Sequence, residues 1–373
     1  MTLRSQLLQR LPLRESLRER EVYGAPQLDV PAALNTNENP HSVPSPVQNA
    51  IASEIAAILP DLNRYPDQEF TLLRDAMANY LGHDLTRENI WAANGSNEVL
   101  HHILQAFGGP GRSLLTFVPS YPMYPILAGG VDTNFIAMNR GHDFSIDVHE
   151  AVAAVRHHMP AIVLLSSPNN PTGTSLEDGV VEAIYEAGES SSTIVVVDEA
   201  YAEFSHTPER TALGLLEGRP RLIVTRTMSK AFSLAGARVG YFASAPEVAD
   251  AMRLVRLPYH LSSLTQAAAL AALRNAAELL KDVNKIKEQR DRIVRELSEI
   301  GLSPTPSDAN FVLFGGLVDR HECWSELLNN GVLVRELGPE GFLRVTAGTE
   351  EETTRFLDAL KSYLSNSAAV VSA

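Results

Sequence analysis

Between about residues 90 and 243, short apolar runs alternate with amphipathic segments. The runs Ile90–Asn94, Ser113–Val118, Thr133–Met138, Ala161–Ser166, Thr193–Asp198, Arg221–Thr227 and Val239–Ala243 are mostly Val, Ile and Leu. They show little polar alternation, the pattern of strands covered on both faces. Between them, Asn97–Phe107, Val148–His157 and Glu177–Gly188 carry apolar positions at helical spacing. Strands alternating with helices predict an α/β unit around a largely parallel sheet. Ligands of such sheets gather at the carboxyl ends of the strands, so the residues just after each run are the ones to inspect.

The flanks read differently. The first thirty-odd residues predict a helical arm and then an extended connector, broken by Gly24, Pro26 and Pro31. Beyond Pro258, Ser262–Ile300 is rich in Ala, Leu, Glu and Lys and predicts one or two long helices. Asn310–Phe314, Val332–Arg335 and Phe342–Thr346 read as short strands, closed by a helix from Glu350 to about Tyr363. The expected organisation is an arm over residues 1–34 packing with a small domain, a large α/β domain over 35–255, and a smaller α+β domain with its long helix over 256–373.

Composition narrows the function. A chain of 373 residues exceeds what one hydrophobic core usually serves, which suits two domains. The net charge of −14, with no basic run to offset it, argues against nucleic acid and anionic membrane surfaces as partners. Cys323 stands alone, so no internal disulfide forms, which suits a reducing compartment. Arg4, Arg10, Arg14, Arg18 and Arg20 interrupt the leucines of the first twenty residues, and no later stretch approaches membrane-spanning length. A cytoplasmic protein is expected. No metal is expected.

The candidate chemistry lies at strand ends. Lys230, in Thr227-Met-Ser229-Lys230, follows an apolar strand and precedes Gly236 and Arg238. An arbitrary lysine is usually a solvated surface group. Here hydroxyls flank it and a cation follows, which together make a phosphate pocket beside an amine. A desolvated lysine near other cations has a lowered pKa, and its neutral amine attacks aldehydes. Asp198 closes another apolar run. It reads either as a helix N-cap or as the acceptor for a protonated ring nitrogen. Ser166-Ser-Pro-Asn-Asn170-Pro-Thr-Gly173 is a turn by its punctuation, and would also offer the Asn170 amide, with Tyr201, to a phenolic oxygen. Gly95-Ser96-Asn97 starts a helix and forms either a plain cap or an anion site. Tyr121 stacks on an aromatic ring or belongs to the core. Each signal is weak alone, and their ordered combination is strong.

These residues resemble the fold type I aminotransferases, and more closely the histidinol-phosphate aminotransferases. The resemblance rests on Leu34-Asn-Thr-Asn37-Glu-Asn-Pro40, Asn63-Arg-Tyr65-Pro66, Asn94-Gly-Ser-Asn-Glu98 and Gln105-Ala-Phe-Gly-Gly-Pro-Gly111. It continues through Asp198-Glu-Ala-Tyr201-Ala-Glu203, Thr227-Met-Ser-Lys230-Ala-Phe232, Arg256-Leu-Pro-Tyr-His-Leu261 and Ser307-Asp-Ala-Asn-Phe311. Tyr23-Gly-Ala-Pro-Gln-Leu28, ahead of the Asn-rich motif, is similar to the actinobacterial branch. The implied fold is α/β, with a seven-stranded mostly parallel sheet between helices and a smaller α+β domain.

The resemblance implies pyridoxal 5'-phosphate as cofactor, joined to Lys230, which later moves the proton. Asp198 would pair the pyridine nitrogen, Asn170 and Tyr201 would hold the phenolic oxygen, and Tyr121 would stack on the ring. Gly95, Ser96, Asn97, Thr227, Ser229 and Arg238 would surround the cofactor phosphate, with Tyr65 reaching it from the neighbouring subunit of a homodimer. Arg344 would bind the carboxylate of glutamate or the phosphate of histidinol phosphate, assisted by Arg335, Tyr23 and Asn37. The implied reaction interconverts L-histidinol phosphate and 2-oxoglutarate with imidazole-acetol phosphate and L-glutamate, in histidine biosynthesis. Aromatic amino-acid transamination and phosphothreonine decarboxylation are alternatives on the same scaffold. A cofactor-binding regulator is the alternative from another class, but such regulators usually add a DNA-binding domain for which this chain has no spare length. Two places depart from the family pattern. Pro122-Met-Tyr124 stands where a His or Ser is common, and Ala237 where a second glycine is expected.

Overall fold

The structure, a computed structural model, describes residues 10–18 and 22–366. Its strands are β1 Ala32–Ala33, β2 Ile90–Ala93, β3 Ser113–Val118, β4 Asn134–Asn139, β5 Ile162–Ser166, β6 Ile194–Asp198, β7 Leu222–Thr227 and β8 Gly240–Ser244, then β9 Ser303–Pro304, β10 Phe311–Gly315, β11 Val332–Leu333 and β12 Leu343–Thr346. The helices of eight or more residues are α1 Ser45–Ile58, α2 Thr71–Leu81, α3 Ser96–Phe107, α4 Met123–Gly130, α5 Val148–His158, α6 Val180–Ala187 and α7 Pro246–Val255, then α8 Ser263–Arg274, α9 Val283–Glu299, α10 Arg320–Asn329 and α11 Glu350–Asn366. Among the described residues, no helix is long and apolar enough to cross a membrane.

Seven strands form one sheet in the order β2-β8-β7-β6-β5-β3-β4. Only β8 runs against its neighbours. The other six therefore point their carboxyl ends to one edge. All five residues of β5 and of β6 are buried, which explains why these strands read as continuous apolar runs. On the reverse of β6, Glu199 and Glu203 both pair with Arg226 of β7, so none of the charges buried there is left without a counter-ion.

The small unit is a three-stranded antiparallel sheet, β12-β10-β9, with α9 against it and α11 packed between α9 and α10, the last two helices also covering β11. The connector from the arm joins it: β1 pairs in parallel with β11, and Thr346 N–H donates to Leu34 C=O. Two expectations need correction. The strand expected over Val332–Arg335 is paired only at Val332–Leu333, and Arg335 makes a single bridge to Arg344. The expected boundary at residue 255 also fails, because α8 packs against α1 and α2 on the large unit's side. Its buried Ala267, Ala268, Ala269, Ala271 and Ala272 allow that close approach. The helical pattern of 262–300 breaks at Asn275, and α9 resumes on the small sheet. Most of the expected helical arm lies outside the described residues, which show one short turn at Glu15–Arg18.

Candidate active site

A cavity of about 400 Å³ opens where the loops after β2, β3, β5, β6 and β7 face the small unit. It is the crevice at the carboxyl edge that an open α/β sheet provides. Its lining includes Ser96, Asn97, Tyr121, Asn170, Asp198, Tyr201, Thr227, Ser229, Lys230 and Arg238 from the large unit. Tyr23, Asn37, Arg335 and Arg344 line it from the connector and the small unit.

Lys230 sits on the turn leaving β7, partly buried, and its Nζ donates to Thr36 C=O at 3.0 Å. Burial, and next the Arg344 guanidinium, pull its pKa down to about 7, with Arg238 adding to the effect and Glu38 opposing it. A large neutral fraction at neutral pH makes this amine a nucleophile and a base.

Asp198 ends β6 with its carboxyl group buried. Tyr124 Oη donates to Oδ2 at 2.9 Å and Thr225 Oγ1 donates to Oδ1 at 3.1 Å. Burial pushes this carboxyl above the usual carboxylate range, while those two donors and the Ala200 N–H work against the rise. The Tyr201 hydroxyl receives Asn37 Nδ2 at 3.0 Å and Asn170 Nδ2 at 3.5 Å. Asn170 in turn accepts Arg344 Nη1 through Oδ1 at 2.6 Å, which fixes which end of its amide donates.

The anion end of the cavity is built by close backbone approach. Gly95 caps α3 at φ 86°, a left-handed conformation that glycine adopts without strain. A Cβ on Gly95 would lie 2.4 Å from Arg238 Nη2, and one on Gly240 would lie 2.2 Å from the Ser96 nitrogen. Glycine at both places therefore brings the α3 N-terminus, β8 and Arg238 together. Arg238 Nη1 also reaches Ser229 Oγ at 3.4 Å. Helix N–H groups, a hydroxyl and a guanidinium facing one point form an anion cradle.

At the opposite end, Arg344 is buried and Arg335 half-buried. Arg344 Nη2 donates to Asn35 C=O at 2.8 Å, and its Nε has no partner among the described residues. Burial, and then the nearby Arg335 charge, lower its pKa to about 10, so it remains a cation at neutral pH. Arg335 Nη2 donates to Gly24 C=O at 3.0 Å, and its guanidinium lies 5.9 Å from the Tyr23 ring centre. The structure brings together every expected site residue except one. Tyr65 is 80% exposed, lies outside this cavity, and stacks on Tyr259 at 4.5 Å.

The groups suit pyridoxal phosphate. A buried carboxylate, in no ion pair among the described residues, shares the cavity with an amine and with an anion cradle. Sequence reasoning missed Thr225, which reads as one polar residue in a strand, and passed over Asn35, Thr36 and Glu38, which were noted only within a motif. It treated Tyr124 as a departure, not as a partner of Asp198. Among the described residues, no group of His, Cys, Asp and Glu is arranged to hold a metal ion.

Cavity and fold together define a cofactor-dependent group-transfer enzyme. Residues 31–360 match the family model described as aminotransferase class I and II. The chain is 62% identical, over 97% of both chains, to a histidinol-phosphate aminotransferase of Paenarthrobacter aurescens. It is 54% identical to one of Thermobifida fusca, over 94% of this chain and 95% of the relative. Among solved structures, histidinol-phosphate aminotransferase from Sinorhizobium meliloti in complex with pyridoxal-5'-phosphate superimposes with a TM-score of 0.80 at 28% identity, covering 90% of this chain and 91% of that one. Aspartate aminotransferase of Thermus thermophilus shares the fold, at a TM-score of 0.76 and 23% identity over 89% of this chain and 91% of its own. The chain belongs to the class I and II aminotransferases and, within them, to the histidinol-phosphate aminotransferase family.

Proposed function

We propose that this chain is a homodimeric transaminase that interconverts L-histidinol phosphate and 2-oxoglutarate with imidazole-acetol phosphate and L-glutamate. The observation that carries the substrate is the Arg335–Arg344 bridge, which aims two cations at the cavity that Lys230 shares. An acidic chain needs such a local focus to hold an anionic substrate. The same two arginines accept a phosphate from one substrate and a carboxylate from the other.

The cofactor is pyridoxal 5'-phosphate, which when bound supplies an aldehyde for amines and a cationic ring that draws electrons from the substrate Cα. Ser96, Asn97, Thr227, Ser229 and Arg238 would hold its phosphate, and Tyr121 would lie against its ring. Asp198 would meet the ring nitrogen as an anion. Asn170 and Tyr201 donate to the phenolic oxygen. Lys230 would hold the cofactor through Nζ, and the same Nζ would take the proton from the substrate Cα. Asn37, tied to Thr346 and Asn310, keeps Tyr201 in place while Arg344 fixes the far end of the substrate.

The dimer is supported by the surface around Tyr65. Leu62, Leu254, Leu257 and Tyr259 are exposed on the segments beside it, a cluster that a second copy would cover. Tyr65 then reaches the neighbouring subunit's phosphate cradle. A buried free thiol at Cys323 supports a reducing, cytoplasmic setting.

Offering purified enzyme histidinol phosphate, phenylalanine and phosphothreonine in turn, and following the cofactor absorbance, tests the assignment. Histidinol phosphate should convert the spectrum fastest. Faster conversion by phenylalanine would replace the reading with aromatic transamination.

A further inference from the structure

Tyr124 is fully buried on α4, with its hydroxyl on Asp198 and its ring bordering a second cavity. That cavity, of about 290 Å³, is walled mainly by apolar groups including Val118, Pro122, Pro125 and Phe135. Among the described residues, Asp198 is in no ion pair, and no cation lines the second cavity. Glu199, next in sequence, faces the reverse of the sheet and is bound to Arg226. Tyr121 and Tyr201 lie on the cavity side. The carboxylate is therefore held by neutral donors alone: Tyr124 on Oδ2, Thr225 on Oδ1, and the Ala200 N–H.

Two oxygens gripped from two different elements leave a carboxylate little freedom to rotate. Its remaining lone pairs are then aimed into the main cavity. We propose that Tyr124 and Thr225 are a positioning pair that holds Asp198 as an oriented anion toward the cofactor's ring nitrogen. A donor to a carboxylate favours the charged form, which burial alone would disfavour. Tyrosine suits the task in two ways. Burial and the adjacent carboxylate raise its phenol well above the ordinary range, so it stays protonated and can only donate to that anion. Its ring also fills the space between Asp198 and the second cavity. A serine would leave that space open, and a histidine would bring a group that titrates near neutrality.

The inference rests on the cofactor and is independent of which amino donor is used. Y124F removes only the hydroxyl. Holoenzymes of wild type, Y124F and T225V would be compared for fold by circular dichroism, for pyridoxal phosphate affinity as a function of pH, and for glutamate turnover. Cofactor affinity of Y124F should fall about tenfold, the loss expected for one hydrogen bond to a charged group. The acid limb of that affinity should move up by about one pH unit, since one unit corresponds to the same energy. The half-reaction rate with glutamate should fall on the order of tenfold while its KM changes less than about twofold, because the donor acts through Asp198 and not on substrate. T225V should move the acid limb in the same direction. A folded Y124F whose acid limb stays with wild type would overturn the proposal, as would a loss of thermal stability with an unmoved limb. If Y124F does not fold, T225V decides, and an unmoved limb there overturns the pair.

Discussion

Arg335 and Arg344 exchange both backbone hydrogen bonds of an antiparallel bridge, each at 2.9 Å from N to O. Residues directly opposite in such a pair project to the same face, so the two guanidiniums are set side by side by the backbone. Like charges held in this way repel until an anion arrives. The bridge thus prepares an anion site before any substrate is bound.

Removing one member of a buried, hydrogen-bonded charge pair costs about 2–5 kcal/mol, or roughly thirty- to several-thousand-fold in affinity. Arg344→Ala should damage both half-reactions by a factor in that range, since Arg344 also anchors Asn170. Arg335→Ala should damage the histidinol-phosphate half-reaction more than the glutamate one. Stopped-flow half-reactions with each donor measure the difference. Equal use of histidinol phosphate and unphosphorylated histidinol by the wild type would refute the phosphate role.

Lys230 gives a pH signature. Its folded pKa of about 7 lies below the ordinary 10.5, so the amine loses its proton as pH rises through about 7. Capture of pyridoxal phosphate by the stripped enzyme should accelerate across that interval and then level off. Between the two values the unfolded chain holds the proton and the folded one does not. This group's contribution to stability therefore rises with pH over the same window. Borohydride should fix the cofactor to Lys230, and Lys230→Ala should lose about 10²- to 10⁴-fold in turnover, as expected for a missing general base. Label recovered on another lysine would contradict the assignment.

Asp198→Ala and Asp198→Asn remove the anion proposed to meet the ring nitrogen. Turnover should drop by roughly thirtyfold or more, by the cost of an unpaired buried charge, while the far-ultraviolet circular dichroism stays native. Near-normal turnover in Asp198→Ala would mean that another group holds the nitrogen.

Mixing Tyr65→Phe with Lys230→Ala subunits tests the shared site. One site of each hybrid dimer would carry both defects and the other neither. Activity should rise above that of either parent once subunits exchange. An absence of recovery, with exchange demonstrated by mass, would leave Tyr65 as a surface residue.

Gly240→Ala tests the cradle. Its new Cβ would stand 2.2 Å from the Ser96 nitrogen, so the α3 N-terminus must shift. Overpacking of this kind costs typically about 1–3 kcal/mol, and thermal melting should register it together with weaker cofactor retention.

Much of the fold was legible because the sheet is buried on both faces. The run Thr193–Asp198 could be read as a strand from its valines alone, and a cavity does open among the residues that follow the strands. Helix α8 was misplaced because its alanines look alike from either side, and only their contact with α1 and α2 shows which unit they serve. The strand at Val332 was drawn too long because Arg335 continues the pattern locally but is bridged only by Arg344.

By itself the sequence determined which chemical groups exist and in what order they reach the sheet edge: an amine after β7, a carboxylate ending β6, an amide turn after β5 and a glycine cap before α3. These follow from local pattern, since strand ends and caps are properties of neighbouring residues. Only the tertiary structure decided which groups touch. That Tyr124 grips Asp198, that Asn37 reaches Tyr201, and that Arg344 engages Asn170 depend on strand order and on how the small unit closes against the large one. Contacts between residues so far apart in the chain are set by packing and register, and neither is written in the spacing of the residues themselves.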